Sequence, residues 1–170
     1  MRKVFLDTNV ILDYYLDREE FSNDAEAIFA LGYSKVCSLF VSALTFANIA
    51  YIARKKFPGN TIYSVLDSLQ ELVDVTSVDS NVVRESVVLQ FKDFEDALQF
   101  NSAKIAGMDC IVTRNIKDFA SFDMEVMTPG EFLMLIRNME WYKIGSSSWN
   151  NIKNIILNTH DVRGKTEGLC

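Results

Sequence analysis

"KVFLDTNVILDYYL", Lys3–Leu16, decides the fold. Its first part, KVFL, is a short apolar run of the kind that forms a buried strand. DTN follows at once, made of residue types that open helices, and VILDYYL then spaces its apolar side chains as a helix does. A strand that passes directly into a helix is the start of a βαβ unit, because a parallel neighbour strand can be reached only through a crossover.

The same alternation continues along the chain. KVCSLFV (Lys35–Val41), LVDVTSV (Leu72–Val78), DCIVT (Asp109–Thr113) and MEVMT (Met124–Thr128) read as further strands. Helical patterns lie between them: AEAIFALGYS (Ala25–Ser34), Ser42–Lys56, Thr61–Gln70, Ser80–Gln90, and DFEDALQFNSAKIAG, which ends on Gly107, a natural helix stop. A closing helix, GEFLMLIRNM, follows Pro129, whose missing N–H suits a first helical turn. This predicts an α/β fold, a three-layer α/β/α sandwich with a mainly parallel central sheet, over residues 1–137. Residues 138–170 are richer in Ser, Asn and Gly and read as a C-terminal appendage, partly helical or disordered, with NNIKNIIL its helical candidate. The one histidine, His160, lies there and reads as an exposed residue.

A chain of 170 residues, 49% hydrophobic, can bury one domain-sized core, and 7 Gly with 2 Pro rule out collagen-like and linker compositions. Cys37, Cys110 and Cys170 are odd in number, widely spaced and without a CxxC pair. Neither a disulfide framework nor a zinc site is expected, and a reducing, cytoplasmic location is. The apolar run before Asp7 is too short for a signal peptide. The longest apolar run, Leu39–Ala53, falls short of the roughly 18–20 residues of a membrane span and carries Ser42, Thr45 and Asn48. It reads as a buried helix, so no membrane contact is expected.

A net charge of -6 argues against nucleic acid in general. Basic residues nevertheless cluster locally, at Arg54–Lys56 and at Lys92, Lys104, Arg114 and Lys117. The ARKKF run reads first as a solvated helix end, and carboxylates that bind metal would add to an acidic total.

Asp7 stands directly after a strand, where α/β sheets bind ligands, but it is equally suited to cap the following helix. Asp93, Glu95 and Asp96 open the later helix. Capping accounts for one of them, and the others imply an exposed helix end or a nearby cation. The opposite face of that helix, Phe94, Leu98 and Ile105, reads as core. Ser42, Thr45 and Asn48 recur every third residue and form a polar stripe whose members need partners.

VFLDTNVILDYYLDR, VSALTFANIAYIARKK, FEDALQFNSAKIAG and IVTRNIKDF, in this order and spacing, resemble the PIN domains, the nuclease fold of the VapC-type toxins, over roughly Met1–Arg137. The resemblance implies a metal-dependent ribonuclease, the toxin component of a type II toxin-antitoxin system. Acids from distant parts of the chain would hold Mg2+ or Mn2+, which activates water against an RNA phosphodiester. Asp7, Asp96 and Asp118 match the family's acids and are the implied metal ligands; Asp93 and Glu95 receive no role from it. Asn48 and Asn115 stand at two further catalytic positions that the family pattern makes acidic, so a weakened metal site is expected. An antitoxin partner and a homodimer are implied as well.

Two rival readings come from the same residues. FLDTNVI is similar to the nucleophile motif of haloacid-dehalogenase-type phosphatases, but Asn9 occupies the position of the second aspartate, and an amide cannot deliver its proton. The stronger rival is a catalytically weakened PIN fold that acts as an RNA- or protein-binding module.

Overall fold

The computed structural model describes residues 1–119 and 123–144. Its strands are β1 (Arg2–Leu6), β2 (Cys37–Ser42), β3 (Asp74–Thr76), β4 (Cys110–Val112) and β5 (Glu125–Met127). The helices are α1 (Thr8–Tyr15), α2 (Ser22–Tyr33), α3 (Ala43–Ala53), α4 (Thr61–Leu72), α5 (Ser80–Leu89), α6 (Phe94–Ile105), α7 (Ile116–Phe119) and α8 (Pro129–Ile144). All the strand pairings are parallel, in the order β3-β2-β1-β4-β5.

Successive strand side chains point to opposite faces, and β1 uses both. Val4 and Leu6 join a core with Ile11 of α1, Ile28 of α2, Ile49 of α3, Leu69 of α4 and Phe132 of α8. Phe5 turns the other way and meets Ile111 of β4, Phe100 of α6 and Phe119 of α7. Helices therefore cover both faces, which is the three-layer arrangement expected. Phe5, Phe100, Phe119 and Phe132 are completely buried, each contributing about 1.5–3 kcal/mol of apolar transfer. Outside this, α5 packs on α6, where Ser86 Oγ lies 3.0 Å from Ala97 O and accepts from Asn101 Nδ2 at 3.0 Å.

Two sequence readings of the core need correction. The Leu39–Ala53 run is not one buried helix: β2 takes it up to Ser42, and α3 exposes Tyr51 and Ile52. Its apolar character comes from joining a buried strand to a helix with only one covered face. In α6, Phe94 and Ile105 are each 48% exposed and Leu98 is half-buried. The buried face is Ala97, Phe100 and Ala103. That helix has apolar residues on two sides, and the side with the small alanines is the one that can approach the sheet closely.

Element ends differ in smaller ways. α4 runs through Leu72 and shortens β3 to Asp74–Thr76, α7 has no counterpart in the sequence reading, and α8 continues past residue 137 to Ile144. Gly107, at φ +68, ends α6 as expected. NNIKNIIL, His160 and Cys170 lie outside the described residues. No helix among the described residues is long and apolar enough to cross a membrane.

The chain leaves β1 toward β2 and β3 on one side, while β4 and β5 lie on the other. Strand order thus reverses between β1 and β4, and the crevice beyond their carboxyl ends is where such sheets bind ligands.

Candidate active site

Leu6 pairs with Val112 across that boundary, and the Asp7 N–H extends the ladder to Val112 O at 3.0 Å. The residue after each strand therefore emerges beside the other: Asp7 beyond β1, Thr113 beyond β4. Thr113 Oγ1 donates to Asp7 Oδ2 at 2.6 Å. Asn9 Nδ2 donates to the same Oδ2, and to Thr113 Oγ1 at 3.0 Å. From α6, Gln99 Nε2 donates to Asp7 Oδ1 at 3.1 Å.

Asp7 sits at the N-cap position of α1, yet its side chain makes no capping bond. Its oxygens are turned instead to Thr113, Asn9 and Gln99. Burial pushes its carboxyl above the ordinary range, while the bonds from Thr113 and Gln99 pull it back.

Asp93 is the residue that caps α6, its Oδ1 accepting from the Glu95 N–H at 2.8 Å. Glu95 and Asp96, in the first turn, are left for other work. Asp96 is half-buried, and its carboxyl is pushed up to about 7, first by burial and then by the negative charges of Asp7, Asp93, Asp118 and Glu95. Asp118 lies exposed on α7. Its backbone N–H bonds Asn115 O at 3.0 Å, and the Asn115 N–H bonds Thr113 Oγ1 at 3.0 Å. Asn115, itself exposed, thus belongs to the turn that carries Asp118.

The polar stripe of α3 divides. Ser42 caps the helix by accepting from the Thr45 N–H at 3.3 Å, and Thr45 meets Thr8 of α1 at 3.5 Å between hydroxyls. Only Asn48 reaches the acids, donating from Nδ2 to Glu95 Oε1 at 2.5 Å. Gln99 Nε2 donates to that same oxygen at 3.0 Å. The Glu95 carboxyl is raised by burial and then by Asp7 and Asp93.

Arg114 is an anchor rather than a free cation. Its Nε stands 2.9 Å from Asp13 Oδ2, off-line for a hydrogen bond, and its guanidinium lies 4.4 Å over the Phe21 ring. Arg18 Nη1 donates to the other Asp13 oxygen at 3.1 Å. Asp13 is buried, so this pairing ties the Thr113–Asp118 turn to α1.

Sequence reading missed Gln99, Thr113 and the part played by Glu95. Gln99 lies one turn after Glu95 on α6, and Thr113 follows β4 as Asp7 follows β1. Both spacings were visible, but their meaning depends on the β1–β4 register.

The donors gathered here are anionic or amide oxygens, the chemistry a hard divalent ion takes. Gln99 Oε1 is buried and lacks a hydrogen-bond partner, while burial first and neighbouring carboxylates second raise the carboxyls of Asp96 and Glu95. Among the described residues, no three His, Cys, Asp or Glu side chains are grouped closely enough to hold a metal ion. The donor set suits such an ion, and the spacing is open.

The PIN domain family matches residues 3–117. Ribonuclease VapC1 of Aquifex aeolicus (strain VF5) is 31% identical over 136 residues, covering 76% of this chain and 92% of the relative. A chain of a toxin-antitoxin complex from Klebsiella pneumoniae superposes with a TM-score of 0.57 at 21% identity, covering 74% of this chain and 97% of its own. VapBC2 from Rickettsia felis, solved bound to a DNA fragment from their promoter, gives a TM-score of 0.55 at 18% identity, covering 74% and 96%. At these identities the two structures speak for the fold.

Proposed function

The chain belongs to the PIN domain family, and on that premise we propose that it is a metal-dependent endoribonuclease, the toxin half of a toxin-antitoxin pair. The observation that carries the reading is the crevice between β1 and β4, where Asp7 follows β1 and shares the Gln99 amide with Glu95, the residue before Asp96 on α6, while Thr113 ties Asp7 to the turn that leads to Asp118. An RNA phosphate is itself an anion, so it cannot settle among these carboxylates unless a cation lies between them. Asp7, Asp96 and Asp118 would hold Mg2+ or Mn2+. When bound, the ion supplies charge neutralisation at the phosphate and activation of water for in-line displacement.

The chain's other residues prepare that site. Thr113, Asn9 and Gln99 fix the Asp7 carboxylate from three directions. The Arg114–Asp13 pair fixes the turn that carries Asp118. Amides at Asn48 and Asn115, where the family resemblance leads one to expect acids, lower the total negative charge and hence the attraction for the ion.

An antitoxin partner and a homodimer belong to the same proposal. The relatives solved as toxin-antitoxin complexes support the antitoxin, and an open groove of about 700 Å³, lined by Ala43, Phe46, Tyr63, Leu66 and Val75 beside Ser64, Asp67 and Gln70, offers a surface for a partner. A reducing, cytoplasmic setting suits the buried free thiols of Cys37 and Cys110.

The test is cleavage of a panel of structured RNAs by purified protein with Mn2+, Mg2+ or chelator, beside an Asp7→Asn control. Cutting that needs metal and disappears in the control is expected. Equal silence of both proteins on every RNA would overturn the enzyme reading and leave an RNA- or protein-binding module.

A further inference from the structure

Glu95 is not explained by the helix it starts. Asp93 already caps α6, and the Glu95 carboxylate, half-buried in the first turn, is reached instead from α3 and from the next turn of α6. Two amides converge on one of its oxygens. Asn48 Nδ2, from α3, donates to Oε1 at 2.5 Å, and Gln99 Nε2 donates to Oε1 at 3.0 Å while also reaching Asp7 Oδ1 at 3.1 Å. Glu95 and Asp7 are therefore held by one shared amide.

That amide supplies an independent sign of a ligand. Gln99 is 1% exposed, and its Oε1 has no hydrogen-bond partner. Flipping the amide would not help, because it would set the carbonyl oxygen against both carboxylates. The two anions dictate the orientation, and the orientation leaves a buried oxygen unsatisfied on the side chain that bridges Asp7 and Glu95. Such an oxygen costs about 1–3 kcal/mol without a partner, and amide oxygens are donors that hard cations accept.

We propose that Glu95 is a metal-facing carboxylate of this site, supplying from α6 the negative charge that Asn48 does not supply from α3, with Asn48 and Gln99 as the positioning residues that aim it. The inference rests on the metal-dependent reading above. It also accounts for an amide at Asn48, since a neutral donor holds a neighbouring carboxylate where a second carboxylate would repel it. A carboxylate on α6 thus offsets part of the charge that the amides at Asn48 and Asn115 do not supply.

The experiment is calorimetric titration of Mn2+ into the full chain and its variants, with thermal midpoints in chelator as the folding control. Wild type should bind Mn2+, and Asp96→Asn should bind it poorly. Glu95→Gln should lose more than about tenfold in affinity, and Asn48→Ala, which releases Glu95, about tenfold. Asp93→Asn, which keeps the cap, should stay within about threefold. The exchange variant Asn48→Glu with Glu95→Gln should regain most of the affinity lost by Glu95→Gln alone. If Glu95→Gln binds like wild type while Asp96→Asn does not, or if Asp93→Asn loses as much as Glu95→Gln, the role given to Glu95 is wrong and the nuclease site stands. If wild type binds no Mn2+, or Asp96→Asn binds it undiminished, the metal-dependent reading itself fails and takes this inference with it.

Discussion

Replacing Thr113 by valine changes shape very little and removes a hydroxyl that three groups share. Its Oγ1 donates to Asp7 Oδ2 at 2.6 Å and accepts from Asn9 Nδ2 and the Asn115 N–H, each at 3.0 Å, in a fully buried position. A hydrogen bond to a charged group is worth about 1.5–3 kcal/mol. Asn9 keeps Asp7 as an acceptor, and the Asn115 N–H lies in an exposed turn, so the Asp7 bond dominates the loss. Thr113→Val should therefore cost about 2–3 kcal/mol, or about 5–10 °C in thermal midpoint for a chain of this size. Thr113→Ser keeps the hydroxyl and removes one buried methyl, worth about 1 kcal/mol. Denaturation followed by circular dichroism in chelator should rank wild type first, serine second and valine third. If valine matches wild type, or serine is the less stable variant, the hydroxyl network does not hold Asp7 and the account of the site's preorganisation is wrong.

Burial raises the Asp13 carboxyl more than Arg114 and Arg18 lower it, so the test is Asp13→Ala, which removes both oxygens facing the arginines and should destabilise by about 1–3 kcal/mol in urea unfolding; no measurable loss would show that the pair does not anchor the turn. Gly32→Ala sets helix propensity against packing: the substitution gains about 1 kcal/mol of propensity, but its Cβ would stand 2.5 Å from Leu39 Cδ1, an overlap worth about 1–3 kcal/mol. Net destabilisation of about 1 kcal/mol is expected, and a raised midpoint would mean that Leu39 moves aside freely. In chelator, the wild-type midpoint should fall as pH rises from about 5 to about 7.5. Asp96 has a folded carboxyl at about 7 against an ordinary 3.8, so between those values the unfolded chain has released a proton that the folded chain keeps. Each step upward in pH then favours unfolding until the folded group has also ionised. Asp96→Asn should flatten that slope, and an unchanged slope would contradict the placement of its neighbours.

The sheet was legible because every strand is a short apolar run followed by a helical pattern, and that alternation admits few parallel topologies. The covered face of α6 was not, because Phe94, Leu98 and Ile105 look more like core than Ala97 and Ala103 do, and local sequence does not say which side meets the sheet. Four-residue α7 is too short to leave a periodic signal. Asp7 could be singled out by its place after β1, and the family resemblance added Asp96 and Asp118. Their support could not be read in the same way. Thr113 meets Asp7 only because Leu6 pairs with Val112, and Asn48 meets Glu95 only because α3 and α6 face the same crevice. Those contacts are products of register and packing across the chain, which spacing along it does not encode.

If water, activated beside Asp7 by a divalent ion, cleaves RNA, the ends of the product record it. The most direct measurement is the chemistry of the ends produced from a single labelled RNA in 18O-enriched water, with Mn2+ and with chelator. Metal-dependent cutting should leave a phosphate monoester carrying solvent 18O, with no cyclic phosphate and no reaction by Asp7→Asn. Cleavage that survives chelation, or products ending in a 2′,3′-cyclic phosphate, would assign the attack to the RNA's own 2′-hydroxyl and contradict attack by water.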